Sequence, residues 1–507
     1  MSSRLLAALL ALAVYAPAPA SAGDSEKIAA FTALPVSNPY RDILLRVETL
    51  PDADRQALKN WFNPSEDAAT APPVLLPEQL ALAREIAAAV RAAAASPLIS
   101  ASDWPLVPNP NDPDNPAAIS LVGVGSVREL ARLGARTAAD LPNSEAIDTY
   151  AAIAQLGRQQ RAGATLIEQL TGVAIEGIAQ AGVAERMGAF SAPELRQLAE
   201  RWSTLHPVPP LDIAVAGERD LFFRPILENI IVPGLHALLA DPSAGQSDAS
   251  ADSDFTRDLR LSALADLGDG EIRITLENTR TGTSFTLRPG RIVEDIELVS
   301  LDFDRHLAVI RSGTREAVIH LASKRIVAKK SAAAKLREFF AGFEYLDEST
   351  PGRTRLERTL DQVRAHPEGI EGYARDLLAA YQAGIDAQLA LAGSATYPDA
   401  LSNPAPSADP LISLTMPTIG KVARTLNNSA TASVMLQAAI NHRLGQLHEN
   451  IDPFAHSDPW AEKENTSFTC TPTPDGGFTL SSRYEARPDA PYTYKFAAPD
   501  AGFLRLK

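Results

Sequence analysis

Five side chains near the C-terminus are of the types that hold metal ions: His442, His448, Asp452, His456 and Asp458. Imidazole nitrogens suit zinc, and carboxylate oxygens suit harder cations such as calcium. Spacing narrows the set. His442 and His448 are six residues apart, which puts them on different faces of a helix. The metal candidates are therefore His448, Asp452, His456 and Asp458. Their bland counterpart is chance, since eight histidines are spread over 507 residues. A second charged group, Glu218, Arg219, Asp220 and Arg224, follows Gly217. Its spacing lets opposite charges pair along a helix, which reads as an ion-pair network. Asp302-Phe303-Asp304 could mimic a cation-binding pair but reads better as a strand end entering a turn. The sequence has no Gly-x-Ser-x-Gly elbow, His-Glu-x-x-His helix or phosphate-binding loop. It thus offers no catalytic set and no cofactor-binding pattern.

Charge excludes some partners. The formal net charge is -15, so phosphate backbones and anionic membrane surfaces would repel the chain. Cys470 is the only cysteine, so no disulfide can form within the chain and no thiolate cluster can hold a metal. The first residues read as an export signal: Arg4, an apolar core from Leu5 to Tyr15, and Ala20-Ser21-Ala22 as a cleavage site. That expectation makes Gly23 the first residue of an exported, periplasmic or extracellular protein. After it, the reading finds no run long and apolar enough to cross a membrane.

The elements that would position these residues are mostly helical. Pro77 suits a first helical turn, and Ala83, Ile86, Ala87 and Val90 recur at helical spacing. Thr165 to Arg186 is another helix, whose Gly172, Gly177 and Gly182 would let a neighbour approach closely. Ser191 and Glu194 have capping-box spacing. Asp212 to Ala240 reads as helix interrupted near Pro225 and Pro233. Pro417 to His448 is one long amphipathic helix, and Gly476-Gly477 turns a hairpin after it.

Between the helical parts lies Gly270–Lys330, where Ile272, Ile274 and Leu276 alternate with polar residues. Turn clusters at 278–282, 288–290, 304–306 and 312–313 divide it into five or six short strands, with Ile292 to Leu301 as one longer run. A small antiparallel barrel or sandwich is expected. The fold class is thus mainly α and multi-domain, with a small inserted antiparallel β-module and a short C-terminal β-hairpin region. The boundaries read as a signal peptide at 1–22, a helical domain at 23–240, a linker at 241–254, the β-module at 255–330, a helical segment at 331–403, and the long helix plus hairpin at 404–507.

The turn placement in "IVEDIELVSLDFDRHLAVIRSGTREAVIHL" resembles the periplasmic β-domain of the type II secretion C component and its type IV pilus P counterpart. The resemblance covers about sixty residues and implies a protein-docking module. The long helix, Asp452-Pro453-Phe454, Asp458-Pro459-Trp460 and the turn at Asp475 to Leu480 resemble the C-terminal part of pseudopilin-type proteins. A pseudopilin carries its apolar helix at the N-terminus, whereas this helix is internal. The expected function is non-enzymatic: protein contacts with envelope proteins through the β-module. The alternative is a hydrolase whose acid/base carboxylates come together only in the fold.

Overall fold

The computed structural model describes residues 24–63, 74–97, 107–108, 119–120, 122–244, 255–266, 272–302, 307–313, 315–321, 324–341, 354–402, 409, 411–412, 416–447, 457–461 and 467–498. The signal-peptide reading, Phe303 and the turn at 304–306 lie outside these residues. The chain forms two compact units, one of residues 1–224 and 377–507, the other of residues 225–376. The long C-terminal helix, read from sequence as part of a separate segment, belongs to the same unit as the N-terminal helices.

The first unit is helical. Its N-terminal part comprises α1 (Asp24–Thr32), α2 (Arg41–Glu48), α3 (Asp52–Phe62) and α4 (Pro77–Ala94). A two-residue pair, β1 (Val107–Pro108) with β2 (Ile119–Ser120), precedes α5 (Val122–Ala139). Then come α6 (Asn143–Gln160), α7 (Leu166–Arg186) and α8 (Ala192–Ser203). Helix α7 is the centre. It packs on α5 and α6, and on the long helix of residues Met416–Gln446. Aliphatic side chains of these helices and Phe468, Phe478, Leu480 and Phe496 share one core.

Glycine allows the tightest of these contacts. A Cβ on Gly157 of α6 would sit 2.7 Å from the Gly172 carbonyl oxygen of α7, and one on Gly172 would sit 2.3 Å from the Gly157 oxygen. A Cβ on Gly182 would meet the Tyr150 ring at 2.2 Å. Close approach is therefore the role of two of the three glycines singled out in α7. Gly177 has nothing within 4 Å of its Cβ position.

Helix α9 (Leu211–Ala240) crosses the boundary between the units. It corrects the expectation that prolines interrupt it: the helix runs through Pro225 and Pro233 by widening into π turns at Glu218–Phe223 and Leu227–Ile231. A π turn shifts the hydrogen-bond register where a proline lacks its N–H. Counted as one element, its 30 residues are long and apolar enough, by length and composition, to cross a membrane. This was missed because the prolines split it in the sequence. In the second unit its Leu235 and Leu238 are buried.

The second unit holds the β-module. Strand β3 (Leu259–Asp266) pairs with β4 (Ile272–Asn278), and β4 with β5 (Thr283–Leu287). A five-stranded antiparallel sheet runs β10-β9-β8-β7-β6, with β6 (Ile292–Val293), β7 (Ile296–Asp302), β8 (Leu307–Ser312), β9 (Arg315–His320) and β10 (Arg325–Ala328). Both sheets contribute to one core that includes Leu261, Ile274, Leu276, Leu287, Leu298, Ile310 and Ile319.

Two strand expectations change. The apolar run Ile292 to Leu301 is a hairpin, turned by Glu294 and Asp295 at φ 49° and 66°. A two-residue turn with both φ positive usually carries Asn or Gly, so Glu-Asp hid it. Strand β3 precedes the stretch picked out by alternation, because a register shift between Leu261 and Ala263 breaks its period. Helices α10 (Ala332–Ala341) and α11 (Arg355–Ala365) follow, and α12 (Gly369–Ala392) returns the chain to the first unit.

The first unit ends with α13 (Met416–Gln446) and a three-stranded sheet, where a hairpin alone was expected. Strand β11 (Thr469–Pro472) pairs with β12 (Phe478–Arg487) across the Gly476 turn, and β12 pairs with β13 (Ala490–Phe496). The Ala497 N–H donates to the Ala184 carbonyl of α7 at 3.1 Å.

The glycine geometry gives a paired test. Gly172→Ala drives a Cβ into backbone and should destabilise by about 2 kcal/mol or more. Gly177→Ala should be stabilising by up to about 1 kcal/mol through helix propensity. Urea unfolding of the two variants checks this, and equal effects would refute the close-approach assignment.

Candidate functional site

His448, Asp452 and His456 lie outside the described residues. Asp458 is described and is 3% exposed. Its Oδ1 accepts from the Trp460 N–H at 3.1 Å and the Ser482 hydroxyl at 2.8 Å, and its Oδ2 from the Arg483 N–H at 2.7 Å. The Trp460 indole N–H donates to Thr431 Oγ1 at 2.8 Å, and its ring lies 4.3 Å from that of Tyr484. Asp458 therefore pins its segment to β12, and Trp460 pins it to α13. His442 packs against the Phe478 ring at 4.7 Å, with its Nε2 3.8 Å from the Cys470 sulfur. Burial, and then the charge of Arg443, lowers the His442 pKa, and burial raises that of the Cys470 thiol. Among the described residues no three His, Cys, Asp or Glu side chains are grouped to hold a metal ion.

The charged group of α9 divides. Asp220 takes two hydrogen bonds from Arg219, at 2.9 and 2.7 Å, and one from Arg224 at 3.4 Å. That is the ion-pair network expected from spacing. Glu218 is not part of it. It turns towards the start of α7, where its Oε1 accepts the Leu166 N–H at 2.9 Å.

At that same helix start lies a buried capping box. Thr165 Oγ1 accepts the Glu168 N–H at 3.2 Å, while Glu168 Oε2 accepts the Thr165 N–H at 3.0 Å and its hydroxyl at 2.9 Å. Such boxes are normally solvated, but Glu168 is 3% exposed. Two glycines make the space. A Cβ on Gly163 would sit 2.3 Å from the Glu168 carboxyl carbon, and one on Gly217 would sit 1.7 Å from the Ala164 oxygen.

Burial raises the Glu168 pKa to about 7, against the opposing hydrogen bonds from Thr165. Burial likewise raises Glu218 to about 7, opposed by the Leu166 N–H and reinforced by repulsion from Glu168. Burial thus lets both carboxyls hold protons up to near neutrality. Chemically, such a pair could relay a proton if a substrate reached it.

Along the same contact between α6 and α7, Arg161 donates to Glu176 Oε1 at 3.0 Å and to Gln169 Oε1 at 3.2 Å, with side chains 4% and 2% exposed for Arg161 and Glu176. The Arg158 guanidinium lies 3.7 Å from Glu176 Oε2. This ion pair is closed to solvent, and removing one partner should cost about 3–5 kcal/mol by stranding the other charge.

Sequence reasoning missed the pair. The Thr165-x-x-Glu168 spacing was as visible as Ser191-x-x-Glu194. Glu218 was picked out by spacing, but as one of the ion-pairing group with Arg219, Asp220 and Arg224; its place at the start of α7 depends on where Gly217 lets α9 lie. Comparison of the chain with known protein families, curated proteins and solved structures gives no match.

The raised proton affinity has a stability consequence. A carboxyl whose folded pKa lies above its unfolded value stabilises the fold while protonated and loses that contribution as pH rises through the folded value. Between about pH 4.5 and 7, Glu168 should therefore withdraw on the order of 3 kcal/mol of stability. Urea unfolding at pH 5 and pH 8 checks this. Stability should fall with pH in the wild type, and Glu168→Gln should flatten the slope. An unchanged slope would mean that Glu168 is not the titrating group.

Proposed function

We propose that the protein is exported and works by contact with other proteins of the cell envelope, not by catalysis. The observation that carries this reading is what the best-poised acid/base groups do. Glu168 and Glu218 spend oxygens on the first N–H groups of α7, so they act as a helix cap. The hydrolase alternative rests on the same pair, and their engagement with backbone counts against it.

Export is supported by the Arg4, Leu5–Tyr15 and Ala20-Ser21-Ala22 series. Contact through the β-module is supported by its resemblance to secretion and pilus components. It is also supported by apolar side chains on its outside: Ile292 is 65% exposed on a two-residue strand, and Leu264 is 40% exposed. Exposed apolar residues on a β surface are suited to burial against a partner.

Site-specific photocrosslinking in the native envelope tests the proposal. A crosslinker at position 292 should capture one or a few discrete partners, whereas one at exposed Thr281 on the hairpin tip should not. Equal, diffuse labelling from both positions would remove the basis for contact through the β-module.

A further inference from the structure

A cavity of about 240 Å³ opens among α1, α2, α3 and α5. Leu44, Leu58, Phe62, Leu130 and Leu133 give it an apolar floor. The charged part of its wall is already paired. Glu48, the last residue of α2, is 4% exposed. Its Oε1 lies 3.2 Å from Lys27 Nζ, and its Oε2 lies 3.6 Å from Arg55 Nη1. Arg55 also pairs with Asp52 at 2.5 Å, and Lys59 pairs with Glu129 at 3.5 Å. The cations Lys27, Arg55 and Lys59 are thus balanced by the carboxylates Glu48, Asp52 and Glu129.

That balance decides what the cavity can hold. An ion entering it would leave water without meeting a free counter-charge. It would have to break an existing pair or stay unpaired over the leucines. A neutral molecule bears neither cost, and its apolar body gains by leaving water for the floor. A neutral hydroxyl also has an anchor. Ser126, in the cavity wall, spends its hydroxyl hydrogen on Glu48 Oε1 at 3.1 Å, which leaves the Ser126 oxygen able to accept. An apolar cavity of about 150 Å³ takes benzene, so this larger one has room for a six-membered ring with a short substituent.

We propose that this cavity binds a small neutral alcohol with an apolar body. The ligand hydroxyl donates to Ser126 Oγ, and its hydrocarbon part lies on the leucine and phenylalanine floor. The ion pairs around it stay closed and exclude charged molecules of the same shape.

Equilibrium dialysis of the full chain against three ligands of one shape tests the proposal. Cyclohexylmethanol is neutral, cyclohexanecarboxylate is an anion and cyclohexylmethylammonium is a cation. The alcohol should bind, and each ion should bind about tenfold more weakly or worse. Ser126→Ala should weaken the alcohol by about threefold or more by removing its acceptor. Lys59→Met is a second variant that the fold should tolerate, because the Lys59 and Glu129 side chains are 49% and 35% exposed. It frees the Glu129 carboxylate, so the ammonium should bind about threefold tighter or more while the alcohol stays within about twofold. No binding of the alcohol, or either ion binding the wild type as tightly, would overturn the proposal. So would an unchanged alcohol affinity in Ser126→Ala, or an unchanged preference among the three ligands in Lys59→Met.

Discussion

Helices α6 and α7 meet backbone to backbone at Gly157 and Gly172, and the first unit depends on that contact. Any side chain there would hold the helices apart. Their closeness brings Arg161 to Glu176 and Gln169, and it sets where the loop between them, residues 161–165, must run. That loop ends in the Thr165 cap. Glu168 folds back beneath it, and Gly163 leaves it the room. Gly217 extends the same logic to α9, since only a residue without Cβ can lie on the Ala164 carbonyl and aim Glu218 at Leu166.

The result is a polar layer inside an otherwise apolar core. Buried ions and amides contribute little net stability against well-packed hydrophobic residues, but each is expensive to strand. A layer of this kind constrains register: α6, α7 and α9 can pack in only one relative position that satisfies Arg161, Gln169, Glu176 and Glu168 together. Elsewhere in the unit the same device recurs singly. Asp458 holds its segment to β12, and Arg424 of α13 lies 4.2 Å from the Tyr484 ring while donating to the Ser394 carbonyl at 2.9 Å.

Much of the fold was legible because local chemistry decides it. Alternation marked β4 and β5, capping spacing marked α8, and apolar periodicity marked α4 and α13. What was illegible has nonlocal causes. Pro225 and Pro233 look like breaks until neighbouring turns widen to absorb them. Glu294-Asp295 carries a turn normally given to Asn and Gly. The metal candidates were chosen by residue type and proximity, and Asp458, the one that is described, satisfies backbone and hydroxyl donors. The carboxyl pair was hidden for the opposite reason. Its members are fifty residues apart, and only the glycine contacts bring them together.

Hydrogen exchange at the start of α7 tests the cap most directly. First-turn amides of a helix have no partner within it and normally exchange fast. If Glu168 and Glu218 hold them, the Thr165 and Leu166 amides should be protected as strongly as that of Ile175, in the middle of α7. Exchange of Thr165 and Leu166 at the rate of a frayed helix end, with Ile175 still protected, would contradict the account.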